Sequence, residues 1–155
     1  GLRLGSGRQI AAIMTLHRMP MNAKIYPVSR EQSVIQQFDH ERLDVYQVAI
    51  DLIILIDELV SSFPKGRAYL VDQLQRAGTS ISLNIAEGAG EYASAEKGRF
   101  YRIAKRSATE CASIFEICSK LQLIEQSQYV RGRELLLRIV AMLIKMAQAQ
   151  AGNAL

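Results

Sequence analysis

Tryptophan is absent from this 155-residue chain, and cysteine (two), histidine (two) and proline (three) are sparse. The two thiols, Cys111 and Cys118, stand seven positions apart on one expected helix. Two helical turns separate their Cα atoms by about 10 Å, beyond the roughly 7 Å that a disulfide can bridge. Both are read as buried thiols, which fits a reducing, cytoplasmic setting and excludes a disulfide-stapled secreted scaffold. His17 lies near the chain start and His40 in Asp39-His40-Glu41, where consecutive helical residues point in different directions. No metal site is expected from them. Neither cysteine has a base at recognisable spacing and no serine sits in a nucleophile elbow, so neither an enzyme nor a cofactor is expected. The longest apolar run, Val48 to Ile56, is broken by Asp51 and falls short of the roughly 20 residues that cross a bilayer. Ile10 to Met14 is too short and too poorly flanked for a secretory signal. A soluble protein with no membrane partner is the expectation.

What the chain does have is 49% hydrophobic residues, enough for one core at this length. Ala, Leu, Ile, Gln, Glu and Arg dominate, and their side chains lose little freedom in a helix. The formal charge of +4 and pI near 9.2 suggest a polyanionic partner until the charge is located. Residues 1–37 hold five basic groups (Arg3, Arg8, Arg18, Lys24, Arg30) and one acid, Glu31, whereas 38–155 hold 14 of each sign. The whole excess falls in a segment without sustained periodicity, which reads as a mobile basic extension with a weak helix over 8–19. Met14, Met19 and Met21 offer alternative starts, so residues 1–20 are a candidate expression or gene-model extension.

From Phe38 the pattern turns helical. A first helix over 42–62 carries two adjoining apolar stripes, Leu43, Tyr46, Ile50, Ile53 and Val45, Ala49, Leu52, Ile56, Leu59. Phe63-Pro64-Lys65-Gly66 ends it. A second helix over 67–87 repeats at Leu70, Leu74, Ala77, Ile81 and Ile85, and Gly88-Ala89-Gly90 reads as its stop and turn. Asn84 and Glu87 are expected to anchor that turn by accepting from exposed backbone donors. Ser94 is a natural N-cap for a third helix with a heptad in Phe100, Ala104, Ser107, Cys111, Ile114, Cys118 and Leu121. After a loop near Ile124 to Gln126, Ser127 caps a fourth helix with Leu136, Ile139, Leu143 and Met146 in register. Four such helices with short connections make an all-α, antiparallel up-down-up-down bundle over 38–150. The first helix has more apolar surface than one bundle uses, so part of Val48, Ile54, Leu55 and Val60 is expected to meet another subunit.

Arg99, Arg102 and Arg106 fall at i, i+3 and i+7 on the side of helix three away from its heptad, with Lys97 and Lys105 close by. Five cations in the first half of a helix oppose its macrodipole and call for a compensating partner. That partner is either solvent with Glu96 and Glu110, Arg106 and Glu110 being an i, i+4 pair, or a row of phosphates. Helix four adds Arg131, Arg138 and Lys145 at intervals of seven.

Phe63-Pro64-Lys65, Gln73-Leu74-Gln75-Arg76-Ala77, Ser80 to Gly90 with its Asn84-Ile85-Ala86-Glu87-Gly88 string, Phe100 to Ala104 and Glu110 together resemble the ribosomal intervening-sequence proteins. These are small four-helix-bundle proteins noticed within insertions in bacterial large-subunit ribosomal RNA genes. The resemblance covers about 38–147. It implies a homopentameric ring and kinship to accessory proteins of diversity-generating retroelements, which bind nucleic acid and a reverse transcriptase. It brings no enzymatic residues, and it marks Arg76, Asn84, Glu87, Gly88, Gly90 and Glu110 as motif positions of structural role. Two residues depart from the family pattern: Arg106 stands where a glycine is usual, and Glu91 where Arg or Lys is common. The expected function is a non-enzymatic oligomer that binds structured RNA or another nucleic acid through basic helix faces. A protein-binding scaffold ring is the alternative.

Overall fold

A computed structural model of the chain describes residues 36–152. The expected extension, including the helix over 8–19, lies outside these residues apart from Gln36 and Gln37. A 3-10 turn at Asp39–Arg42 leads into four helices, α1 (Asp44–Val60), α2 (Ala68–Gly90), α3 (Ser94–Lys120) and α4 (Gln126–Gly152). Each helix packs on its neighbours in the cycle α1, α2, α3, α4, while the diagonal pairs make no close backbone contact. This is the expected up-down-up-down bundle.

The core follows the helical spacing. Leu52 and Leu59 of α1, Leu74, Ile81 and Ile85 of α2, Cys111, Phe115 and Cys118 of α3, and Ile139 and Leu143 of α4 are all but fully buried. On α3 a second stripe, Tyr101, Ala108 and Phe115, is buried beside the expected heptad, and the heptad's ends are weaker: Phe100 is half-buried and Leu121 is exposed. The surplus assigned to α1 is corrected. Val48 and Leu55 are 4% and 2% exposed within the single chain, because α1 lies between α2 and α4 and buries an arc toward both. Ile54 and Val60 are half-buried. Unburied apolar surface instead lies on α4, where Val130, Leu137 and Ile144 are 44%, 61% and 39% exposed at heptad spacing. By length and composition alone α4 is also apolar enough to cross a membrane, which the run Val48 to Ile56 is not, and 22% of its apolar window is buried in this chain.

Helix ends also differ in cause from the sequence expectation. Gly66 turns the chain with φ of +92°, as a stop after Pro64 requires. Gly88-Ala89-Gly90, however, is the last turn of α2 and not a loop. Gly88 is there for space: a Cβ would lie 2.6 Å from Tyr101 Cε1 of α3. Ser94 is the first residue of α3 and Ala93 its N-cap, with no side-chain cap. Glu91 takes the anchoring role instead, its Oε1 accepting from Tyr92 N at 2.8 Å and Ala93 N at 3.1 Å. Asn84 is one turn too early for that task. Its Nδ2 donates back to the Ser80 carbonyl at 2.8 Å and to Ser80 Oγ at 3.2 Å. Ser80 Oγ in turn shares a 2.9 Å hydrogen bond with Ser107 Oγ, the polar link between α2 and α3. α4 begins at Gln126, one residue before the expected cap Ser127, and Gln128 reaches back to accept from Glu125 N at 2.8 Å.

Candidate nucleic-acid interface

α3 directs Ala104, Ala108 and Cys111 into the core, and a turn of roughly 100° per residue therefore sends Arg99, Arg102 and Arg106 outward. All three are exposed, and Lys97 and Lys105 on their flanks are half-buried. Arg99 Nη1 pairs with Glu96 Oε2 at 3.2 Å, but both side chains are over half exposed, so the pair contributes little stability. Arg106 and Glu110 form no ion pair. The acid stands first in both of the pairs Asp72 with Arg76, at 2.8 Å, and Glu96 with Arg99, the order that suits the macrodipole. Arg102 has no carboxylate partner among the described residues. Its Nη1 folds back over Gly98, 3.3 Å from where a Cβ would be, one turn nearer the start of α3.

The α4 cations do not extend this row. A groove between α3 and α4 is lined by Ala108, Thr109 and Ala112 on one side and by Arg133, Leu136, Leu137 and Val140 on the other. Arg138 precedes Val140 by two residues, about 160° around the helix, so Arg131, Arg138 and Lys145 share a flank facing away from α3. The two rows form separate basic faces. Arg133, which the sequence pattern did not single out, lies on the α3 side. Its guanidinium carbon sits 5.7 Å from the Tyr129 ring centre, and Nη1 donates to Tyr129 Oη at 3.3 Å.

Charge is nevertheless strongly partitioned. α3 and α4 hold ten basic and four acidic groups, net +6, while the 3-10 turn, α1 and α2 hold eight acidic and two basic, net −6. The neutral body is thus a basic half joined to an acidic half. Of the remaining motif positions all but Glu110, which lies on α3, sit on α2 in the acidic half. Arg76, Asn84 and Glu87 line an open groove along α2 with Asp72, Thr79 and Leu83. Gly90 has open space around it, and Glu110 faces solvent.

The thiols offer no nucleophile. Burial first, and then the Glu110 carboxylate, push the Cys111 thiol up to about 12, and burial raises Cys118. His40 packs edge-on against Tyr46 at 4.7 Å and stacks with Phe38 at 5.8 Å. Among the described residues, no group of three His, Cys, Asp or Glu side chains is placed to hold a metal ion.

Fold and charge together define a four-helix bundle with one strongly basic two-helix half. A family model described as the 23S rRNA-intervening sequence protein matches residues 41–145, and the chain belongs to that family. Comparison with curated proteins returns no match.

Proposed function

We propose that the protein is a non-enzymatic oligomer that binds structured RNA, with Arg99, Arg102 and Arg106 of α3 as its principal phosphate contacts. The carrying observation is the net +6 of the α3–α4 half, on which Arg102 stands without a carboxylate partner among the described residues. Cations crowded into the first half of a helix are unfavourable there without an anion. Lys97 and Lys105 add to the same face, and Arg131, Arg138 and Lys145 provide a second, weaker one. Self-association is supported by the exposed row Val130, Leu137 and Ile144, whose heptad spacing suits a partner helix. The family resemblance suggests five copies. Repetition of the basic half around a ring raises the local potential that a single neutral body lacks.

The test joins light scattering with RNA titration over a range of salt. The full chain should show a mass several times 17.3 kDa. Replacing Arg99, Arg102 and Arg106 together by Gln should weaken RNA binding. It should also flatten the plot of log affinity against log salt by roughly 0.7 to 0.9 per lost contact, with oligomer mass and helicity unchanged. Unchanged affinity in the triple variant would reduce the row to a solvated face. Absence of RNA binding by the parent chain would favour a protein-binding scaffold.

A further inference from the structure

We propose that Tyr92 is a stacking post for an unpaired base, at the end of the arginine row; this rests on the nucleic-acid reading above and assigns it a class of target, single-stranded loops. Tyr92 is 100% exposed, the most exposed large hydrophobic residue in the described chain. It has no ring or cation partner among the described residues. An aromatic ring fully in water forgoes the burial that normally places it inside, so it is a natural site for a planar partner.

The backbone that carries the ring is also held in place. It sits in the connection of 91–93 between α2 and α3, and its backbone N–H and that of Ala93 are both bound by the Glu91 carboxylate. On the α2 side, Gly88 packs directly beneath Tyr101 of α3, so the two helices cannot splay at this end. A post mounted on a braced turn loses little freedom when a base lands on it. This also accounts for the departure at position 91. A carboxylate here fixes the turn that carries the tyrosine, where Arg or Lys would have offered one more cation.

Tyr92 precedes the basic row along the chain, two residues before the start of α3. Arg99 to Arg106 spans about 10 Å along α3, and the Arg102 guanidinium folds back over Gly98, one turn nearer the helix start, on the side where Gln150 and Ala147 of α4 also come close. A strand whose phosphates follow the arginines past the start of α3 would reach the connection that carries the tyrosine. Aromatic side chains beside cations are the usual means of holding splayed RNA bases.

The experiment uses the full chain and two RNA probes, a hairpin with a uridine-rich loop and a blunt duplex of the same stem. Tyr92→Ala should weaken hairpin binding about ten-fold and leave duplex affinity, salt slope and oligomer mass unchanged, while Tyr92→Phe should bind as the parent does. The chain has no tryptophan, so Tyr92→Trp creates a single reporter whose fluorescence the hairpin should quench and the duplex should not. Equal hairpin affinity in Tyr92→Ala and parent would overturn the stacking post while the phosphate reading stands. A lower oligomer mass in Tyr92→Ala would overturn it too, by assigning the ring to a contact between copies. A parent chain that binds neither probe would remove both readings.

Discussion

Replacing Gly132 by alanine is the sharpest test of the packing. A Cβ on Gly132 would lie 2.2 Å from Phe115 Cε1, 2.7 Å from Cδ1 and 2.9 Å from Cζ. Carbon atoms rest at about 3.5 Å or more, so the ring would have to retreat by about 1.3 Å. Phe115 is fully buried among residues at close-packed density and has nowhere to go without moving α3 from α4. Overpacking of this kind costs about 3 kcal/mol at the upper end of its range, and the better helix propensity of alanine returns about 1 kcal/mol. The net loss is about 2 kcal/mol, a fall in Tm of about 8 °C for a bundle of this size. Circular dichroism during heating, at fixed protein concentration, reads it directly. Gly78→Ala should cost less, since its Cβ meets only the end of the Ile56 side chain, at 2.6 Å, and Gly90→Ala meets nothing within 4 Å. Adding Phe115→Leu to Gly132→Ala should recover part of the loss, because the two sites share one volume. A Tm for Gly132→Ala equal to the parent's would refute the close approach of α3 and α4 at this point.

Two further outcomes follow from local chemistry. Gln122 is the only described non-glycine residue with positive φ, +56°, and closes α3 in a Schellman motif with Leu123 N on the Cys118 carbonyl and Gln122 N on that of Ser119; Gln122→Gly should raise stability by about 0.5 kcal/mol in urea titration, and a loss instead would contradict the strain. Cys111 has its thiol raised from 9.0 to about 12, so the native state holds a proton that the unfolded chain releases; stability should be unaffected below pH 9 and fall by up to about 1.4 kcal/mol per pH unit above it, a component that Cys111→Ala should lack when unfolding is followed from pH 8 to 11.

How far the sequence reached depended on whether a feature is periodic. Leu136, Ile139 and Leu143 repeat at helical spacing, and so does the Ala104 to Cys118 stripe; such patterns report a buried face directly. Glycine was the main failure. Gly88 read as a stop and Gly132 drew no reading at all, yet each makes room for a ring, Tyr101 and Phe115, from a neighbouring helix. That role is set by a partner distant in sequence, and only a glycine inside a strong helical pattern hints at it. Capping failed for a related reason. Ser94 has the right side chain, but Glu91, three residues earlier, already holds the turn. On the arginine row the helical spacing was sufficient, since exposure of Arg99, Arg102 and Arg106 follows from burial of Ala104 and Ala108. The separation of the α4 row was not legible, because the sequence cannot say which flank of α4 meets α3.

The distribution of charge bears on how the proposed RNA binding should be measured. A pI near 9.2 belongs mostly to residues 1–37, so removal of that segment should lower any nonspecific attraction to polyanions. The bundle's own field is dipolar, +6 on α3 and α4 against −6 on the rest. Charges more than a Debye length away, about 8 Å at physiological salt, are screened, so RNA in contact with the bundle responds to the nearer half alone. Affinity therefore depends on which halves an assembly turns outward, and not on net charge. A ring that exposed α3 would bind RNA strongly with zero net body charge, whereas one that buried α3 against the acidic α1 of a neighbour would be salt-labile and bind none. Mass and RNA affinity, followed together as salt is raised, separate these arrangements: in the first the mass outlasts the binding, and in the second the mass itself falls.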